Sequence, residues 1–204
     1  MARAGVLTIG VAFALPEPHA SMLRRMRQDA DDPQATIVPP HVTFLPPSVV
    51  RRTETEGVER HLATVAARHE PFDLHLSGAG SFRPVSQVVF AQVSEGIAAC
   101  ELLAADVCSG PLAIDRSFPY HPHVTVAHDV GADALDRAYA KLRPFDATLC
   151  VCDFTLFEQS DNAWRIRRVF GLGHRVARAG RPTRDLKGAT AAGHPGYRRR
   201  AADH

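Results

Sequence analysis

No apolar run in this 204-residue chain approaches the roughly 20 residues needed to cross a bilayer, so no membrane-spanning helix is expected. Cysteine is scarce. Cys100, Cys108, Cys150 and Cys152 form no Cys-x-x-Cys pair, which argues against a zinc ribbon or a thioredoxin-like redox motif. All four are expected to be small, reduced, apolar side chains. No acidic cluster accompanies the histidines, so neither a metal nor a cofactor is expected. The first sixteen residues hold one early Arg and a short apolar run. That run alternates with Gly and Ala and ends in Pro-Glu-Pro-His rather than a small-residue cleavage site. It is read as a buried strand of a cytoplasmic protein.

The apolar share of 45% and charged share of 23% are those of a globular protein. The net charge of +2 hides an asymmetry. Residues 175–204 carry eight Lys/Arg against Asp185 and Asp203, a balance of +6, which leaves −4 on the first 174 residues. This tail is rich in Gly, Ala, Pro and Arg, with no apolar periodicity. It is expected to be disordered, either a solvated extension or an electrostatic contact for RNA. Residues 1–174 are expected to form the folded domain, as a monomer.

Apolar periodicity predicts strands over Val6–Leu15, Val38–Leu45, Phe72–Leu76, Gln87–Val93, His123–Ala127, Phe145–Phe157 and Trp164–Leu172. It predicts helices over Ala20–Ala30, Thr53–His69, Ile97–Val107 and Ala132–Leu142. Thr53 and Glu56 are spaced like a capping box. Pro46-Pro47 is expected to close the second strand, Gly78–Gly80 to form a turn, and Gln159–Asn162 to join a hairpin. The order suggests one unit used twice. The fold class is therefore α+β, with two similar lobes and antiparallel sheets around a central cleft.

Each unit carries the same four residues: Pro40-His41-Val42-Thr43 and Pro122-His123-Val124-Thr125. A strand has a side-chain period of two, so His41 and Thr43 share a face, as do His123 and Thr125. Two imidazoles flanked by two hydroxyls suit acid–base chemistry on a phosphodiester. One neutral imidazole takes a proton from water while the other, protonated, delivers one to the leaving alkoxide. The hydroxyls donate to the non-bridging oxygens. A single strand histidine is more often packed or solvated than catalytic. Two in matched Pro-led strands make the catalytic reading the better one.

The motifs His41-Val-Thr-Phe44 and His123-Val-Thr-Val126 resemble those of the two-histidine (2H) phosphoesterase superfamily, in particular its bacterial 2′-5′ RNA ligase/RNA 2′,3′-cyclic phosphodiesterase group. Leu76–Phe82 and the strand Val88–Val93 are similar to that family's glycine-bearing turn and following strand. The resemblance spans Val6 to Gly173. It implies a bilobal fold with a pseudo-twofold axis and one His-x-Thr strand per lobe. It also implies opening of a 2′,3′-cyclic phosphate at an RNA or nucleotide end, reversible 2′-5′ ligation in some members, and no membrane or metal partner. His41, Thr43, His123 and Thr125 match the catalytic set, with His41 as acid and His123 as base. Two positions depart from the pattern: Pro46 and His128 stand where related RNA enzymes often carry Phe and Arg. His128 is then a weaker stand-in for the phosphate-clamping Arg.

Other candidates surround these motifs. His121 shares a strand face with His123 and either tunes it or sits at the strand mouth. Phe82 and Tyr120 are candidates to stack a base, or belong to core or cleft rim. Arg83 and Arg116 are candidate phosphate attractors or solvated surface, and Trp164 is expected in the core. A metal held by His121, His123 and His128 is disfavoured by their spacing. The rivals are a non-catalytic RNA- or nucleotide-binding module and a hydrolase of another small cyclic phosphate or 2′-5′ oligonucleotide.

Overall fold

The computed structural model describes residues 5–160 and 163–173; the basic stretch 175–204 lies outside them. Two four-stranded antiparallel sheets are built from β1 (Val6–Ala14), β2 (His41–Arg51), β3 (Phe72–Ser81), β4 (Val88–Glu95), β5 (His123–His128), β6 (Asp146–Val151), β7 (Asp153–Ser160) and β8 (Ala163–Gly171). The first sheet has the order β2-β1-β7-β8 and the second β5-β4-β3-β6. Among the described residues the α-helices are α1 (His19–Asp29), α2 (Thr55–Ala66), α3 (Ile97–Val107) and α4 (Ala132–Leu142). This is the bilobal α+β architecture expected. No helix among the described residues is long and apolar enough to cross a membrane.

Each helix buries one stripe. In α2 it is Val58, Leu62, Val65 and Ala66; in α3 it is Cys100, Leu103, Ala104 and Val107. The stripes cross between the lobes. Helix α3, sent out from the second sheet, packs against β2 and α2, while α1 packs against β5 and α4. The two strands with the Pro-His-Val-Thr motifs are thus each backed by a helix from the other unit.

Five expectations needed correction. Strand β2 does not stop at Pro46-Pro47 but runs on to Arg51. It is an edge strand, and its register with β1 shifts between Leu45↔Val11 and Ser48↔Ile9. An edge position with a register shift is where prolines, which cannot donate to a ladder, are tolerated. Gly78–Gly80 is not a turn either. Strand β3 continues to Ser81 with its register shifted between Leu76 and Ala79, and Gly78 takes φ +74°, a conformation that favours glycine.

The predicted strand Phe145–Phe157 is two strands. Its apolar alternation is continuous, but β6 pairs with β3 and β7 with β1, so the chain changes sheets at Cys152. Period two puts Cys150 and Cys152 on one outward face with Cα atoms 5.6 Å apart, and they form a disulfide instead of two buried thiols. Cys100 is buried as expected, and burial pushes its thiol up to about 12.

The last correction is at α2. The helix starts at Thr55 after a 3₁₀ turn at Arg52–Glu54. The reciprocal cap belongs to Arg51 and Glu54, whose carboxylate accepts from the Arg51 amide at 3.1 Å. Thr53 is not the cap. Strands β7 and β8 pair from Asp153↔Gly171 to Ser160↔Ala163, as the expected hairpin requires.

Candidate active site

Strands β2 and β5 are edges of their respective sheets, and the two edges lie against each other. Along β2, half-buried His41 and Thr43 alternate with buried Val42 and Phe44. Along β5, half-buried His123 and Thr125 alternate with buried Val124 and Val126. The apolar partners anchor each strand in the core, and the polar set is left at the junction. Both alternations then slip. Phe44 and Leu45 are both buried, as are Val126 and Ala127, so Pro46 and His128 fall on the exposed side.

Both rings are held the same way. His41 Nδ1 lies 2.7 Å from the Pro39 carbonyl oxygen, and His123 Nδ1 lies 2.8 Å from the His121 carbonyl oxygen. A carbonyl only accepts, so each Nδ1 carries the hydrogen and donates it. Each Nε2 is therefore the atom that gains or loses a proton. Burial holds both imidazoles below the ordinary histidine pKa, and the carbonyl contacts pull the other way. The Arg27 charge also lowers His41; the charges of His121 and His41 also lower His123.

The ion pair between Arg27 and Asp32 is buried, with side-chain exposures of 4% and 0%. It fixes the loop that leads into His41. Arg27 donates through Nε and Nη2 to Asp32 Oδ2 at 3.1 and 2.9 Å, Asp32 Oδ1 accepts from the Gln34 amide at 2.8 Å, and Arg27 Nη1 reaches the Val38 carbonyl at 3.4 Å.

His123 stands against an aromatic wall. The Phe82 ring meets it edge-on with centroids 4.9 Å apart, Phe90 lies at 5.1 Å, and His121 stacks at 6.3 Å. Phe90 occupies its place because position 80 is glycine: a Cβ there would lie 2.3 Å from the Phe90 ring. The wall borders a cleft of about 720 Å³ that also includes Thr43, Pro46, Arg116, Phe118 and Tyr120. Tyr120 donates its hydroxyl to the Thr43 carbonyl at 2.9 Å and so ties the segment before His123 to the strand of His41. Burial holds its phenol far above the ordinary value, so this donor stays protonated. The Arg116 guanidinium lies 4.7 Å from the Tyr120 ring centroid and donates to the Phe44 carbonyl at 3.3 Å.

On the His41 side lies a smaller cavity of about 180 Å³, walled by Val11, Val38, Leu45, Phe157 and Trp164 among others. His41 and Thr43 line it, and Thr43 also lines the larger cleft.

The predicted site residues thus separate into groups. His41, Thr43, His123, His121, Phe82 and Tyr120 line one cavity or the other. Thr125 lines neither and sits opposite Phe90 in the β4–β5 ladder. His128 also lines neither; it is exposed at the end of β5, 3.3 Å from Asp129. Arg83 is held by Asp136 at 2.8 Å, whereas Arg116 is in the cleft. Trp164 is half-buried on a cavity wall rather than in the core. The sequence reading missed Phe90, whose role depends on strand register, and the irregular segment 113–119, which has no periodicity to read. Among the described residues, no three His, Cys, Asp or Glu side chains form a set able to hold a metal.

The chain is similar to known proteins in both sequence and fold. A curated relative from Bacillus cytotoxicus, named "Putative phosphoesterase", is 31% identical over 147 residues, 70% of this chain and 84% of its own length. A Bacillus thuringiensis protein with the same description is 30% identical over the same span. The crystal structure of E. coli LigT complexed with 3′-AMP superposes with a TM-score of 0.54 at 18% identity, covering 83% of this chain and all of that one. A crystal structure from Thermus thermophilus gives 0.57 at 21% identity, covering 81% and 98%. These two structures show a shared fold. The family model described as "2'-5' RNA ligase superfamily" matches residues 15–163, most of the chain and both histidine motifs, and this protein belongs to that superfamily.

Proposed function

We propose that this phosphoesterase-family protein opens 2′,3′-cyclic phosphates at RNA or nucleotide ends by two-histidine acid–base catalysis, without a metal. The observation that carries the reading is the matched tethering of the two rings, Nδ1 to the carbonyl two residues earlier, on two strands that meet edge to edge. It presents two Nε2 atoms at one junction, the minimum for a base on one side of phosphorus and an acid on the other.

His123 Nε2 takes a proton from water as the water oxygen bonds to phosphorus. The bond from phosphorus to the ribose 3′ oxygen breaks, and His41 Nε2–H supplies that oxygen with its proton, leaving a 2′-phosphate. The order of acid and base follows the family resemblance; burial lowers the pKa of both rings, with the Arg27 charge adding to the lowering at His41 and the charges of His121 and His41 adding to it at His123. The hydroxyls of Thr43 and Thr125 donate to the non-bridging oxygens. The LigT structures complexed with 3′-AMP, NADP+ and ATP support a nucleotide in the cleft.

The test is hydrolysis of adenosine 2′,3′-cyclic phosphate in EDTA by the wild type, His41→Ala and His123→Ala, with folding checked by circular dichroism. Each variant is expected to lose about 10²–10⁴-fold in rate. Folded variants that hydrolyse at wild-type rates sink the proposal.

A further inference from the structure

Two cavities of unequal size and character meet at one residue. Thr43 lines both the cleft of about 720 Å³ beside His123 and the cavity of about 180 Å³ beside His41. A phosphate held at Thr43 therefore has a pocket on each side. A cyclic nucleotide, with a single organic group, fills one of them.

The smaller pocket has a definite chemistry. His41 and Thr43 are its only polar side chains apart from the Trp164 indole, and both lie at the phosphate end. Val11 and Leu45 are fully buried behind it, and Phe157 nearly so. Trp164 reaches it from β8. Its ring passes over Gly10 on β1, where a Cβ would meet Cζ3 at 3.5 Å. A volume of about 180 Å³ is below the roughly 300 Å³ at which drug-sized pockets begin. It suits one ring or a short aliphatic chain rather than a whole nucleoside. Apart from the Trp164 indole, the apolar walls offer no side-chain partner to the donors and acceptors of a base edge, which would be buried unpaired at a cost.

We infer that this pocket is a second subsite of the proposed active site, selecting phosphodiesters that carry a nucleoside on one oxygen and a small apolar, preferably aromatic, alcohol on the other. The inference rests on the phosphate binding at the histidine–threonine junction. It goes beyond the cyclic-phosphate reading by naming a two-sided, mixed diester.

Trp164 is the sole tryptophan in the chain, so its fluorescence reports occupancy of this pocket directly. The probes are 2′-deoxyadenosine 3′-phosphate and its methyl, phenyl and deoxyadenosyl esters; the missing 2′-hydroxyl prevents cyclisation. The phenyl ester is expected to bind about tenfold more tightly than the methyl ester, the gain of one aromatic contact, and to alter Trp164 emission. The deoxyadenosyl ester is expected to gain nothing over the methyl ester. By calorimetry, Trp164→Ala should erase the phenyl advantage and Trp164→Phe should retain part of it. The subsite is refuted by equal binding of the phenyl and methyl esters, by a phenyl gain that survives Trp164→Ala, or by an equal gain for the deoxyadenosyl ester. The ranking is read on the wild type, so it does not depend on the folding of either variant. Failure of the wild type to hydrolyse the cyclic phosphate overturns the reaction proposed above and leaves the binding ranking to stand or fall by itself.

Discussion

The two histidines share a tetrapeptide, a strand position and a tether, yet they stand in different surroundings. His41 borders a small apolar cavity, and its approach loop is pinned by the buried Arg27–Asp32 pair. His123 borders a large open cleft and is walled by Phe82, Phe90 and His121. The local motif settles which nitrogen is left to react. The environment, supplied by residues far away in the chain, is what distinguishes two otherwise identical motifs.

The largest effect outside the histidines is expected on the His41 side. Arg27→Met leaves the Asp32 carboxylate buried without its partner and should cost about 3–5 kcal/mol in denaturant melts. Replacing both partners, Arg27→Met with Asp32→Leu, should recover most of that stability. A single variant as stable as wild type would show that the pair does not hold the loop.

On the His123 side, Gly80→Ala tests the aromatic wall. The added methyl would stand 2.3 Å from the Phe90 ring, so the ring must move. Overpacking of this type costs about 1–3 kcal/mol, and hydrolysis should fall with it as His123 loses its backing. Unchanged activity would make Phe90 a bystander.

Tyr120→Phe removes a hydroxyl that ties the His123 approach to the strand of His41. A loss of about 0.5–1.5 kcal/mol is expected, with kcat falling more than KM rises. A pure KM effect would instead assign Tyr120 to substrate contact.

The smallest effect concerns pH. Both histidines titrate below 6.5, so kcat/KM, which reports the free enzyme, should be maximal below pH 6.5. His121→Ala removes a charge that lowers His123, so the His123 pKa should move up toward 6.5 in a proton NMR titration while His41 stays in place. Movement of both rings together would break the asymmetry between them.

Much of this molecule was legible in the chain. Ile97–Val107 and Ala132–Leu142 coincide with α3 and α4 because their apolar stripes are complete and their ends are marked by Gly96 and Gly131. The two His-x-Thr faces were equally clear, since period two needs only local information. The Phe145–Phe157 stretch was not. Its alternation is the same on both sides of Cys152, and only pairing partners reveal the change of sheet.

Local spacing was enough for the repeated motif, for the side of each strand on which it lies, and for the type of chemistry that two imidazoles and two hydroxyls can perform. Each of these follows from positions along one backbone. Long-range packing supplied the rest: β2 and β5 meet at their edges, Phe90 stands beside His123, and Trp164 walls a pocket next to His41. These depend on register and on helices crossing between lobes, contacts between residues tens of positions apart that no local period encodes.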